Sequence, residues 1–220
     1  MTKVKICGIT SLDDALACAE AGADMLGFNF HRQSPRYITP DDALVVCESL
    51  RAEMGAGCPA LVGVFVNEPV SRISAITNDV GLNFAQLSGD ESDAMLAELR
   101  GIGFKAIRPM NLQLALDDVD YFSRSMPTSE RAPSLLLDAY HPKLYGGTGE
   151  QASIEVALAV RERVPRLMLA GGLTPENVAE RVAAIRPWGV DVASGVEVSD
   201  QPGVKDIGRV RAFIEAARGV

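Results

Sequence analysis

Lys3-Val4-Lys5-Ile6-Cys7-Gly8-Ile9-Thr10, a helical pattern over 12–21 stopped by Gly22, and Met25-Leu26-Gly27-Phe28-Asn29-Phe30 form the stretch on which the fold turns. The first run reads as a short buried strand, bounded by Gly8 and then by Thr10-Ser11 ahead of the helix. The second apolar run follows the helix after three residues. Strand, helix and strand in that order predict a parallel sheet with helices packed on it. A cysteine also stands where the first strand ends. Free Cys is more often a small buried hydrophobe than a reactive thiol, so Cys7 takes its interest from the rest of the chain.

The same unit recurs without a break. Strands are expected at 61–66, 84–87, 105–108, 134–139, 167–170 and 190–193. The run 61–66 is almost continuously apolar, as a strand covered on both faces should be. Helices are expected from Pro40 onward, then at 69–79, 91–100, 112–122, 153–163, from Thr174 onward and at 206–217. The helix after the seventh strand is expected to open with Thr174 as N-cap and Pro175 in the first turn. The segment 126–133 reads as a loop. Eight strands alternating with eight helices, with no linker between them, predict an α/β chain folded as a single-domain (β/α)8 TIM barrel over residues 1–220. No G-x-G-x-x-G follows the first strand, which argues against the dinucleotide-binding open sheet.

Composition narrows the function classes. Hydrophobic residues make up 47% of the 220, enough for a large core. A formal charge of -8 advertises no nucleic-acid partner and no anionic membrane surface. Cys7, Cys18, Cys47 and Cys58 include no C-x-x-C pair, and His31 and His141 are too few for a histidine-rich zinc site. With no signal-like or membrane-length apolar run, the expectation is a reduced, cytoplasmic protein without a bound metal.

In such a barrel the chemistry lies at the C-terminal ends of the strands. Those ends carry Cys7-Gly8, Asn29, Gln86 with Ser88-Gly89, Asp138, Gly171-Gly172 and Ser194-Gly195. Asp138 follows Leu135-Leu136-Leu137, and a carboxyl leaving an apolar core is raised toward the range a general acid needs. An Asp that merely caps a loop is the competing explanation. The glycines after strands seven and eight match the usual barrel phosphate site, where backbone amides hold the anion. Arg36 in Ser34-Pro35-Arg36-Tyr37 is either a solvated surface group or a planar fork for a substrate carboxylate. Gly146-Gly147-Thr148-Gly149 reads as a lid, an anion-binding nest or a plain connection.

Taken together, Lys5-Ile6-Cys7-Gly8-Ile9, Ser34-Pro35-Arg36-Tyr37, Leu137-Asp138, Gly146-Gly147-Thr148-Gly149, Ala170-Gly171-Gly172-Leu173 and Ser194-Gly195-Val196-Glu197 resemble the phosphoribosylanthranilate isomerase family of tryptophan biosynthesis. The resemblance spans nearly the whole chain and runs in order. It implies an Amadori rearrangement of a phosphorylated aminosugar, with no cofactor, Cys7 as general base and Asp138 as general acid. It also implies that Arg36, Gln86, Gly147 and Asp191 touch substrate, and that Gly171, Gly172, Ser194 and Gly195 hold its phosphate. A monomer is favoured, with a homodimer as the other option. Ser88 departs from the pattern, since members usually carry histidine there, and Gln151-Ala152-Ser153 stands where Phe-Asp-Trp is common. The rival readings are a metal-free isomerase of the histidine-pathway type and a non-catalytic phosphate binder. The first commonly uses aspartates on strands one and five, where this chain has Cys7 and Arg108.

Overall fold

The computed structural model describes residues 1–139 and 153–220. β1 (Lys3–Cys7) leads into α1 (Leu12–Glu20), which starts where the Ser11 side chain accepts from the Asp14 amide. β2 (Met25–Asn29) is followed by α2 (Pro40–Met54), with Thr39 as N-cap and proline in the first turn. β3 (Ala60–Phe65) is buried along its whole length, and α3 (Val70–Val80) stops at Gly81 in the left-handed conformation. The chain continues through β4 (Phe84–Leu87), α4 (Asp93–Glu98), β5 (Gly103–Ile107) and α5 (Leu112–Phe122). β6 (Leu135–Leu137), α6 (Ile154–Arg163), β7 (Leu167–Leu169), α7 (Val178–Ile185), β8 (Gly189–Val192) and α8 (Ile207–Arg218) complete it.

The eight strands are parallel, pair in sequence order and close into a barrel. Closure is made by β8 on β1, in a register that sets Lys5 beside Asp191. Two apolar layers follow. Ile6, Leu26, Leu61, Phe65, Leu135 and Leu169 face outward against the helices. Met25, Val62, Phe84, Phe104, Leu136 and Met168 fill the barrel interior. Side chains alternate along a strand, so the residues two and four places beyond those interior groups climb toward the C-terminal mouth. This periodicity brings Cys7, Asn29, Gln86, Arg108, Asp138 and Asp191 to one opening. Among the described residues, no helix is long and apolar enough to cross a membrane.

Two helix starts differ from expectation, for the same physical reason. α4 begins at Asp93, not at position 91, because the Glu91 carboxylate is taken by three donors. It accepts from the amides of Asn67 and Gly89 and from Lys105 Nζ at 2.9 Å. Likewise, α7 begins at Val178, not at Thr174. Asn177 Oδ1 accepts from the Thr174 amide and its Nδ2 donates to the Gly172 carbonyl, so 174–177 forms a turn ahead of the helix. In each case a side chain bonds the backbone of a loop and postpones the first helical turn.

Candidate active site

A cavity of about 260 Å³ opens at the C-terminal ends of the strands. Cys7, Arg36, Gln86, Asp138, Asp191, Gly171, Gly172, Ser194 and Gly195 all line it. Gly147 and the loop 146–149, together with His141, lie outside the described residues. Sequence-expected residues from six separated segments therefore meet in one place.

Cys7 ends β1 and is partly open to this cavity. Burial pushes its thiol above the usual range, and the Lys5 ammonium is the strongest influence pulling it back. The Asp191 charge adds to the upward shift, and Lys205 opposes it. Behind Cys7, the Lys5 side chain is fully buried and its Nζ donates to Asp191 Oδ1 at 2.9 Å. Asp191 lines the cavity as expected, yet one of its oxygens is already engaged by Lys5.

Asp138 lies on the wall contributed by β6. Burial raises its carboxyl, and the Ala139 amide, donating to Oδ1 at 2.8 Å, offsets only part of that. Asp191 raises it further while Arg108 and Lys5 pull it down, and the balance is a carboxyl pushed up to about 6. Gly171 makes this position possible. Its φ is +87°, and a Cβ there would lie 2.6 Å from the Ala139 nitrogen and 2.9 Å from Asp138 Oδ1.

Arg36 reaches the mouth across Gly8, where an added Cβ would meet Arg36 Cδ at 2.5 Å. Its Nε and Nη2 both donate to Glu197, each at 2.7 Å. The same carboxylate accepts from Lys205 Nζ at 3.0 Å and from the Gly203 amide. Burial would raise the Glu197 carboxyl, but Arg36 and Lys205 outweigh it and hold it below the usual carboxylate range. Two of the five guanidinium donors of Arg36 are thus spent on holding its plane. The sequence offers no protein partner for Arg36, since Glu197 is 161 positions away.

Gln86 is almost wholly buried; its Nε2 donates to Ser88 Oγ at 3.0 Å, while Oε1 is buried without a partner among the described residues. A buried acceptor without a donor is uncommon, and this one belongs to a residue on the cavity wall. Arg108, one residue past β5, lines the same cavity and was not among the expected contacts. The two-residue alternation from Phe104 through Ala106 would have found it. Beneath this wall, Lys105 Nζ donates to the Gly89 carbonyl at 2.6 Å and to Glu91, tying down the loop that carries Ser88.

On the opposite rim, Ser194 opens a short 3-10 turn over Ser194–Val196, and Gly195 packs under the β7–α7 loop. A Cβ at Gly195 would approach the Leu173 carbonyl oxygen to 2.0 Å. Gly171, Gly172, Ser194 and Gly195 therefore gather on adjoining loops, although the α7 terminus expected at Thr174 begins later.

Residues 4–216 match the family model described as N-(5'phosphoribosyl)anthranilate (PRA) isomerase. The N-(5'-phosphoribosyl)anthranilate isomerase of Trichlorobacter lovleyi is 43% identical over 218 residues, covering 99% of this chain and 98% of that protein. The phosphoribosyl anthranilate isomerase of Thermotoga maritima superposes with a TM-score of 0.85 at 36% identity, each chain covered in full. A second solved structure, also covered in full, has a TM-score of 0.82 and 36% identity. It is a phosphoribosyl anthranilate isomerase in complex with reduced 1-(o-carboxyphenylamino)-1-deoxyribulose 5-phosphate. On the whole-length match and the barrel, this chain belongs to the phosphoribosylanthranilate isomerase family.

Proposed function

We propose that the chain converts N-(5-phosphoribosyl)anthranilate to 1-(2-carboxyphenylamino)-1-deoxyribulose 5-phosphate, with Cys7 and Asp138 moving the protons. The observation that carries the role assignment is the carboxyl of Asp138, pushed up to about 6 on the wall of a cavity that also holds Cys7. A carboxyl in that range can donate a proton near neutral pH. In the first step Asp138 gives its proton to the furanose ring oxygen. The C1–O bond breaks as the anilino nitrogen lone pair moves in, leaving an iminium cation. That cation acidifies the C2 hydrogen, which the Cys7 thiolate removes. The electron pair released from C2–H forms the C1=C2 bond and neutralises the nitrogen. The Cys7 thiol then returns its proton to C1 of the enolamine and the Asp138 carboxylate takes the proton of the C2 hydroxyl. The product is thus an isomer of the substrate, and Asp138 ends protonated and Cys7 ends as thiolate, as they began.

Arg36, steadied by Glu197, offers its remaining N–H donors to the anthranilate carboxylate. Gln86 Oε1 accepts from a substrate hydroxyl, and Asp191 contributes its other oxygen. Amides of the loops carrying Gly171, Gly172, Ser194 and Gly195 receive the phosphate. Gly147 is assigned a substrate contact on the resemblance alone. A monomer is the proposed working form.

Freshly generated phosphoribosylanthranilate, mixed with the purified protein, tests the reading. Loss of its fluorescence at a rate proportional to enzyme is the expected result, and no loss above the uncatalysed rate overturns it.

A further inference from the structure

Three cations surround Cys7, and they are not equivalent. Arg36 and Lys205 both bond Glu197, and Lys205 Nζ donates to the Cys7 carbonyl oxygen at 2.7 Å. Lys5 is different. It stands two residues before Cys7 on β1, so both side chains enter the barrel on the same face. Its Nζ is fully buried and takes no part in the cavity wall. The Lys5 ammonium and the Cys7 sulfur share the space over Gly27, where a Cβ would lie 2.8 Å from Sγ and 3.1 Å from Nζ. Any side chain at position 27 would push into both groups.

A buried ammonium is costly unless anions meet it. Asp191 is one such anion, at 2.9 Å, and the Cys7 sulfur is the second group the ammonium interacts with. We propose that Lys5 is a positioning residue that supplies the counter-charge for the Cys7 thiolate, while Asp191 sets how much of that charge the thiolate receives. The inference deepens the proposed function and rests on Cys7 as the base. Burial opposes the thiolate, and Lys5 is the largest opposing influence, with Asp191 pulling in the other direction. The remaining charged groups around the sulfur are Lys205 from the segment after β8, Arg36 from the β2–α2 loop, and Asp138 with Arg108 across the cavity. The first two share Glu197, so neither is committed to the sulfur.

Removing Lys5 and removing the Asp191 charge must then move the thiol in opposite directions. Iodoacetamide labelling of Cys7, followed as a function of pH and located by peptide mass mapping, reads this without any turnover. A Cys58→Ser background removes the other half-open thiol, since Cys18 and Cys47 are buried. At a fixed pH below the midpoint, Lys5→Met should slow Cys7 labelling by about tenfold, one unit of thiol titration. Asp191→Asn should speed it. Asp191→Asn keeps the buried ammonium in place and carries the test alone if Lys5→Met does not fold. Unchanged or slower labelling in folded Asp191→Asn overturns the proposal, as does unchanged labelling in folded Lys5→Met. The upper limb of the pH profile for kcat/KM should shift with the labelling midpoint in the same direction, whereas a purely structural ion pair would cost stability and leave both where they are. Failure of the base assignment looks different: Cys7→Ser would then turn over normally while the labelling shifts persist.

Discussion

Asp24 and Asp138 are the same residue at opposite ends of the barrel, and the protein treats them in opposite ways. Burial penalises both charges. At the N-terminal rim three donors outweigh it: Lys3 Nζ at 2.8 Å, the Val4 amide at 2.9 Å and Arg218 Nη2 at 2.8 Å, so Asp24 is held below the usual carboxylate range. At the mouth one backbone amide among the described residues bonds Asp138 and the Asp191 charge works against it, so the carboxyl rises to about 6. Donor number decides the outcome, and with it the use of each end. The closed rim ties β1, β2 and α8 together; the open rim keeps a proton available for chemistry.

The largest effects should come from breaking the open rim. Cys7→Ser and Asp138→Asn should each lower kcat by roughly 10²–10⁴, about 3–5 kcal/mol of barrier, with the fold intact. Asp24→Asn should leave kcat alone. Near-normal turnover in either mouth variant would cancel the functional half of the contrast.

Arg36 should come next. Arg36→Met removes a charge-assisted contact to the substrate carboxylate and should raise KM by about 1.5–3 kcal/mol equivalent, with a smaller effect on kcat. Because Glu197 holds the guanidinium plane through two 2.7 Å bonds, Glu197→Gln should raise KM in the same sense. An unchanged KM in Arg36→Met would return that arginine to a structural role.

The pH profile sharpens the comparison further. Activity needs Cys7 ionised and Asp138 protonated, the reverse of what their positions favour between about 6 and the raised thiol range. Below about 6, Asp138 is already protonated and the thiolate fraction grows with pH, so kcat/KM should rise about tenfold per unit. Across the middle the two changes cancel and the profile should be flat. Above the thiol midpoint only the loss of protonated Asp138 remains, and the rate should fall. A single descending limb at about 6, with no rise below it, would take Cys7 out of the proton path.

Much of this was legible beforehand, and the misses share a cause. Period-two alternation and glycine punctuation are local, and they sufficed for the barrel and for Cys7, Gln86 and Asp138 at its mouth. The late starts of α4 and α7 escaped because Glu91 and Asn177 bond loop backbones, and no propensity encodes which side chain will do so. The pairing of Arg36 with Glu197 escaped because it spans the chain. Lys5 was passed over although it sits two places before Cys7, since a lysine inside a strand reads as surface until β8 closes on β1 and brings Asp191 to it. Ser88 was read correctly as facing the mouth, and its hydroxyl accepts from Gln86.

The smallest effect expected is at the closed rim, and its sign is the sharpest test of the comparison. A depressed carboxyl contributes stability that is full above its unfolded value of about 4 and is lost as pH falls through the folded value. Lys3 is half exposed, so its share is screened, and the Val4 amide and Arg218 carry most of the interaction. Asp24→Asn should therefore cost about 1 kcal/mol at pH 7, and the gap to wild type should close in acid. Asp138 obeys the opposite rule. Its raised carboxyl binds a proton in the fold that the unfolded chain has already lost, so folding stability drains away as pH rises from about 4 to about 6. Asp138→Asn removes that loss and should match or exceed wild type in denaturant at pH 7, with no advantage at pH 4. Urea unfolding of both variants at those two pH values decides it. Equal destabilisation by both at pH 7 would mean that the two aspartates play one structural part, and that the rims do not differ.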